Sequence, residues 1–151
     1  MDLYETAEDA LESVRPAADK EKITLRQTGD RARIRGVKRV LEEMIFNLCD
    51  NAVKYNKPGG EVEVNVTEGP ENVTLTVRDT GIGIPYAHRS RVFERFYRVD
   101  KSHSREIGGT GLGLSIVKHG AMLHGAGISL DREVGVGTTV TLTFSREKQD
   151  Q

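Results

Sequence analysis

The chain has 151 residues, 36% of them hydrophobic, and a formal net charge of −1. That length suits one domain with a single core, the charge balance gives no pointer to nucleic acid, and no apolar run approaches the roughly 18 residues of a membrane-spanning helix. No signal peptide is visible, and the lone Cys49, set among apolar neighbours, reads as a buried thiol in a reducing compartment, so the chain is expected to be cytoplasmic.

In chain order, Asp2 with Glu5 three residues on resembles a capping box. Ala7, Ala10, Leu11, Val14 and Ala18 then follow at helical spacing, with Pro16 expected to kink the helix. Short strands are predicted near 22–28 and 32–35, where Ile23, Leu25 and Ile34 alternate with polar residues. From 37 to 55 the apolar positions Val37, Val40, Leu41, Met44, Ile45, Leu48, Cys49, Ala52 and Val53 form a wide stripe, which predicts the central core helix. Val62, Val64 and Val66, then Val73, Leu75 and Val77, alternate on either side of Gly69-Pro70-Glu71-Asn72 as an antiparallel hairpin. A helix from Gly113 to about His124 and strands near 127–132 and 138–144 close the pattern. This order predicts an α+β fold, a two-layer α/β sandwich with a mixed, mostly antiparallel sheet packed against about three helices, in a single domain over 1–151. Residues 80–110 are rich in Gly and Arg and weakly periodic, either a poorly packed excursion or the functional loop region. Within them, 88–105 hold six bases against Glu94 and Asp100 and could face a polyanion.

Gly108-Gly-Thr-Gly-Leu-Gly113 directly precedes a helix, where glycine backbones and free helix-start amides suit a phosphate. Leu114-Ser115 follows where a P-loop needs Lys-Ser/Thr, and a dinucleotide fingerprint would need a small residue where Ile116 stands and a strand where the polar residues 100–106 precede the glycines; taken alone, the run is as readily a plain loop. Asn47 and Asn51 share a helix face with Lys54 and Tyr55 one turn on. They could offer hard oxygens to Mg²⁺ and a point charge to phosphate, or could form the polar side of an amphipathic helix. Asp79 ends a strand before Thr80-Gly81-Ile82-Gly83, so its carboxylate could accept from an adenine amine, although Asp-Thr-Gly is also an ordinary turn. Val92-Phe-Glu-Arg-Phe-Tyr-Arg98 could anchor a loop base through Phe93 and Phe96 while Arg98 or Lys101 reaches a phosphate, or could be a short amphipathic helix. Gly135-Val-Gly-Thr-Thr139 opens the last strand.

In this order the segments resemble the N, G1, F, G2 and G3 boxes of sensor histidine kinases: Asn47-x₃-Asn51-x₂-Lys54-Tyr55, Asp79-Thr-Gly-Ile-Gly-Ile-Pro85, Phe93-Glu-Arg-Phe-Tyr-Arg98, Gly109-Thr-Gly-Leu-Gly113 and Gly135-x-Gly-Thr-Thr139. The likeness covers about residues 37–144 and implies the Bergerat-type ATP-binding fold shared with gyrase, Hsp90 and MutL, with ATP and Mg²⁺ as cofactors. By resemblance Asn51 coordinates Mg²⁺ with Asn47 beside it, and Lys54 and Tyr55 approach phosphates and ribose. Asp79 receives the adenine amine against Gly81 and Gly83, and Thr138 joins that pocket through water. Arg98 meets the terminal phosphate, with Lys101 nearby. Gly109, Thr110, Gly111, Leu112 and Gly113 belong to the hinge of a mobile lid over about 96–110. The resemblance assigns Asn47, Lys54 and Arg98 the catalytic roles.

The family also needs a phosphoacceptor histidine followed by an acid. His88, His103, His119 and His124 precede Arg89, Ser104, Gly120 and Gly125, and each is expected to be a solvent-exposed polar residue. The resemblance therefore implies a catalytic module that is monomeric alone and phosphorylates a separate dimerisation domain for relay to a response regulator, in a membrane-anchored parent sensor. A gyrase-like ATPase would carry a glutamate base where Asn47 stands; a nucleotide-binding module without transfer is the other alternative. Gly120, costly inside a helix by ~1 kcal/mol, is expected to loosen the anchoring of the lid.

Overall fold

The computed structural model describes residues 1–80, 112–133 and 137–146. The Asp2 carboxylate accepts from Tyr4 N (2.9 Å) and Glu5 N (3.4 Å), satisfying two amides that a helix start leaves without partners. Helix α1 (Leu3–Lys20) follows and stays helical through Pro16, burying Leu3, Ala7, Ala10, Leu11, Val14 and Ala18.

Strand β1 (Thr24–Gly29) forms where expected, but the strand predicted near 32–35 does not. Asp2 and Arg33 make only an isolated antiparallel bridge. Leu3 N donates to Ala32 O (2.8 Å) and Ile34 N to Met1 O (3.0 Å). Ala32 and Ile34 are buried between exposed arginines, so the alternation reported one-sided burial correctly. The backbone partners are the first three residues of the chain, already turning into α1, and too few to extend a ladder.

Helix α2 (Lys38–Lys54) buries Leu41, Met44, Ile45, Leu48, Cys49, Ala52 and Val53. Strands β2 (Glu61–Glu68) and β3 (Asn72–Asp79) form the predicted hairpin, its turn closed by Gly69 N to Asn72 O at 2.8 Å. Helix α3 (Leu112–Leu123) leads to β4 (Gly127–Glu133) and β5 (Gly137–Ser145). The sheet order is β1-β2-β3-β5-β4. Only β1 and β2 pair in parallel, joined by the α2 crossover.

One face of the sheet is apolar: Val62, Val64, Val66, Val73, Leu75, Val77, Val140, Leu142 and Phe144 are buried in one core with the helices. The opposite face is polar, and Arg78 there reaches Glu63 at 2.8 Å. The layer of three described helices on a mixed, mostly antiparallel sheet is the expected sandwich. Among them α2 is central, packing against both α1 and α3.

Two details of the α2–α3 contact depart from expectation. Gly120 is buried, and a Cβ there would overlap the Met44 side chain, so this glycine tightens the helix contact rather than loosening it. His124 is half-buried, not a freely solvated polar residue: its Nε2 accepts from Val37 N (3.0 Å) and its Nδ1 donates to Gly120 O (2.8 Å). It closes a link from the end of α3 to the start of α2. His119 is exposed, as expected, while His88 and His103 lie outside the described residues.

Candidate nucleotide site

The inner helix carries Asn47 and Asn51 one turn apart, each bonded to its own backbone. Asn47 Nδ2 donates to Glu43 O (2.7 Å) and Asn51 Nδ2 to Asn47 O (2.9 Å). A carbonyl only accepts, so the amide nitrogen must face it and each Oδ1 is turned the other way. The helix thereby orients two hard oxygen donors of the kind a Mg²⁺ takes alongside phosphate and water.

One turn later Lys54 Nζ lies 2.9 Å from Asp50 Oδ2. The point charge offered to phosphate is therefore tethered to its own helix. Helix pairs of this spacing contribute only ~0.3–0.5 kcal/mol when exposed, and Lys54 is on the exposed side of this one, so an anion can draw the ammonium away. Tyr55 caps the helix, its N–H returning to Asn51 O at 2.9 Å.

The second half of the site is the end of β3. Asp79 stands opposite Thr138 in the β3–β5 ladder. Its parity with Val73, Leu75 and Val77, and that of Thr138 with Val140 and Leu142, put both side chains on the helix-covered face, just past the last buried valine. Both are half-buried. The close approach there depends on Gly137: its φ is +151°, and a Cβ on it would overlap the Asp79 carbonyl oxygen. No side chain could stand at that point without moving the strand end that carries the carboxylate.

The two halves meet one residue beyond each. Asn56 follows Tyr55, Thr80 follows Asp79, and Thr80 Oγ1 lies 3.4 Å from Asn56 Oδ1. Asn51, Lys54 and Tyr55 are thus brought to the same end of the molecule as Asp79 and Thr138. Leu112 and Gly113 form the first turn of α3, so the last glycine of the run is already helical. Gly81, Gly83, Arg98, Lys101, Gly109, Thr110 and Gly111 lie outside the described residues, as do Phe93 and Phe96.

Sequence reasoning overlooked Asp50 and Asn56, and it gave Thr80 and Gly137, which stand inside quoted motifs, no role of their own. Asp50 could have been found from its i,i+4 spacing to Lys54, and Gly137 from its place directly before the paired Thr138. Cys49 is buried as expected, and burial, with a smaller contribution from Asp50, pushes its thiol up to about 12. It contributes packing to the core rather than a nucleophile.

Residues 36–148 match the family described as histidine kinase-, DNA gyrase B-, and HSP90-like ATPase. The chain belongs to that family. Among its curated relatives is the sensor-like histidine kinase SenX3 of Mycolicibacterium smegmatis, 37% identical over 161 residues that cover 100% of this chain and 42% of that protein. Another is the sensor histidine kinase WalK of Bacillus subtilis, 43% identical over 114 residues, 73% of this chain and 19% of that protein. The chain therefore spans less than half the length of either relative. The solved mycobacterial sensor histidine kinase MprB superimposes with a TM-score of 0.85 at 30% identity, covering 99% of this chain and 97% of that one. The fold is also that of the catalytic domain of histidine kinase ThkA, with a TM-score of 0.79 at 20% identity over 97% of this chain and 93% of the other. Within the family the likeness is to sensor histidine kinases.

Proposed function

We propose that this chain is the catalytic, ATP-binding domain of a two-component sensor histidine kinase. It binds Mg·ATP and transfers the γ-phosphoryl group to a histidine on a separate dimerisation domain, for relay to a response regulator. The observation that carries this reading is the meeting of the α2 C-terminal end with the end of β3. An oriented amide oxygen and a lysine stand on one side there, and a half-buried carboxylate on the other. That is the polarity of a nucleotide, with an amine at one end and phosphates at the other.

In this reading Asp79 accepts from the adenine amine, Thr138 joins it through water, and Gly81 and Gly83 form the pocket wall. Such an acceptor favours adenine over guanine, whose O6 does not donate. Asn51 holds Mg²⁺ with Asn47 beside it. The donor set fits, because both amides present oxygen and, among the described residues, no group of three His, Cys, Asp or Glu offers a competing metal site. Bound there, Mg²⁺ would neutralise phosphate charge. Lys54 leaves Asp50 for the phosphates, Tyr55 approaches the ribose, and Arg98 and Lys101 add charge at the terminal phosphate. The Gly109–Gly113 segment, with Thr110 and Leu112, hinges a lid over about 96–110.

Positioning and charge neutralisation supply most of phosphoryl transfer, so a domain with these groups needs only an incoming imidazole. The module is monomeric by itself and acts on the cytoplasmic side of a membrane-anchored parent. No described helix is long and apolar enough to cross a membrane. Asn47 can neither take nor give a proton in the way of the glutamate base of gyrase-like ATPases, so ATP hydrolysis is slow.

The test is incubation with γ-labelled ATP and Mg²⁺, with and without a histidine hairpin of this kinase class. Label on the hairpin histidine alone is the expected result. Label on the isolated chain, or rapid phosphate release, would contradict it. Asp79→Asn should weaken ATP binding by about 10–100-fold, the worth of a charge-assisted hydrogen bond.

A further inference from the structure

The turn between α2 and β2 holds a cluster of polar groups that none of the five motifs explains. After the Tyr55 cap, Lys57 N donates to Asn56 Oδ1 (2.8 Å), and Gly60 N returns to Lys57 O (3.0 Å). Asn56 Nδ2 donates to Glu61 O at 3.0 Å. The same Glu61 peptide is held from the other side by the residue after Asp79: Glu61 N donates to Thr80 Oγ1 (2.8 Å), and Thr80 N donates to Glu61 O (3.1 Å). The Thr80 hydroxyl in turn lies 3.4 Å from both Asn56 Oδ1 and Glu61 O. Gly60 is buried at the centre, and a Cβ on it would overlap Asn56 Oδ1 and crowd Thr80 Oγ1. The missing side chain of Gly60 is therefore the space that the amide and hydroxyl use.

We infer that Asn56 and Thr80 are positioning residues that set the distance between the base-reading end and the phosphate end of the site. This rests on the nucleotide reading above and deepens it. Asn56 is one residue past Tyr55 and two past Lys54, and Thr80 is one residue past Asp79. Each adjoins a residue assigned to the ligand and bonds within the protein. A nucleotide that grips Asp79 with its base and Asn51 and Lys54 with its phosphates binds at full strength only if the two ends keep a fixed separation. The Asn56–Glu61–Thr80 bonds form a side-chain link between them. The hydroxyl and amide are half-buried, where such bonds are costly to leave unmade.

A fixed separation makes a prediction that a local structural role does not. Adenosine uses the base end alone, whereas ATP uses both ends, so the ratio of their dissociation constants measures how well the ends are matched. In the full chain with Mg²⁺, calorimetry on Thr80→Val and on Asn56→Ala should find that ratio reduced at least fivefold. Adenosine affinity itself should change less than twofold, and Thr80→Ser, which restores the hydroxyl, should recover the ratio. An unchanged ratio in Asn56→Ala, a turn variant outside the core and expected to remain folded, overturns the inference, as does equal weakening of both ligands. Wild-type chain that fails to bind ATP overturns the nucleotide reading and this inference together. Wild-type binding that depends on Asp79, combined with an unchanged ratio in the variants, sinks the inference alone.

Discussion

Gly120 of α3 lies so close to Met44 of α2 that a β-carbon on the glycine would overlap the methionine sulfur. Both residues are buried, and this contact lets the helix that follows the glycine-rich run seat against the helix that carries Asn47 and Asn51.

The contact reverses the usual effect of removing a helical glycine. Gly120→Ala gains up to ~1 kcal/mol in helix propensity, but overpacking costs ~1–3 kcal/mol and forces Met44 to move. The expected outcome of urea unfolding is a net loss of stability, and Met44→Ala in the same chain should relieve part of it. A Gly120→Ala chain as stable as the parent would show that the methionine, a flexible side chain, simply yields.

At Gly137 no flexible neighbour can yield, since the obstruction is the backbone carbonyl of Asp79. A side chain in that conformation costs ~1–3 kcal/mol before the overlap is counted. Gly137→Ala should therefore lower stability and ATP affinity together, because relief moves the strand end that presents the carboxylate. Full ATP affinity in a destabilised variant would separate the two effects and refute the coupling.

Cys49 makes alkaline stability a measurable quantity. The unfolded thiol titrates near ~8.5, whereas burial holds the folded one up to about 12. Between those values the unfolded state has released a proton that the folded state keeps. Stability must then fall as pH rises, by up to ~1.4 kcal/mol per pH unit, while below the unfolded value it is unaffected. Unfolding curves between pH 8 and 10 should show this slope in the parent and lose it in Cys49→Ala. An identical slope in both would assign alkaline sensitivity to other groups.

Nε2 of His124 accepts from Val37 N–H, which places the ring proton on Nδ1, facing Gly120 O. Nitrogen NMR should find that tautomer at neutral pH. His124→Ala should cost ~1–3 kcal/mol and speed exchange of the Val37 amide, two hydrogen bonds being lost at a half-buried place. The exposed His119→Ala should stay within ~0.5 kcal/mol of the parent. Equal effects at the two histidines would dissolve the distinction.

The elements were legible because their periodicities are strong. The 3.6-residue stripe of α2 and the alternating valines of β2 and β3 each bury one face against a common core, and local spacing reports that directly. The 32–35 segment alternates in the same way yet is no strand, since a strand requires a partner edge that no local pattern contains. Likewise, spacing along α2 put Asn47, Asn51 and Lys54 on one face, but it could not show which amide atom points outward or that Asp50 holds the lysine.

By itself, then, the sequence determined the residue types, their order, and the surfaces they would bury, and the five spaced motifs were enough to point to the family. Tertiary structure alone decided what depends on residues distant along the chain. Thr138 stands opposite Asp79, Gly137 clears the space for that approach, Gly120 makes room for Met44, and His124 bonds to Val37, 87 residues away, joining the end of one helix to the start of another. Periodicity is a property of one segment. Contact between segments is set by how the whole core closes, and steric room and hydrogen-bond partners exist only once it has.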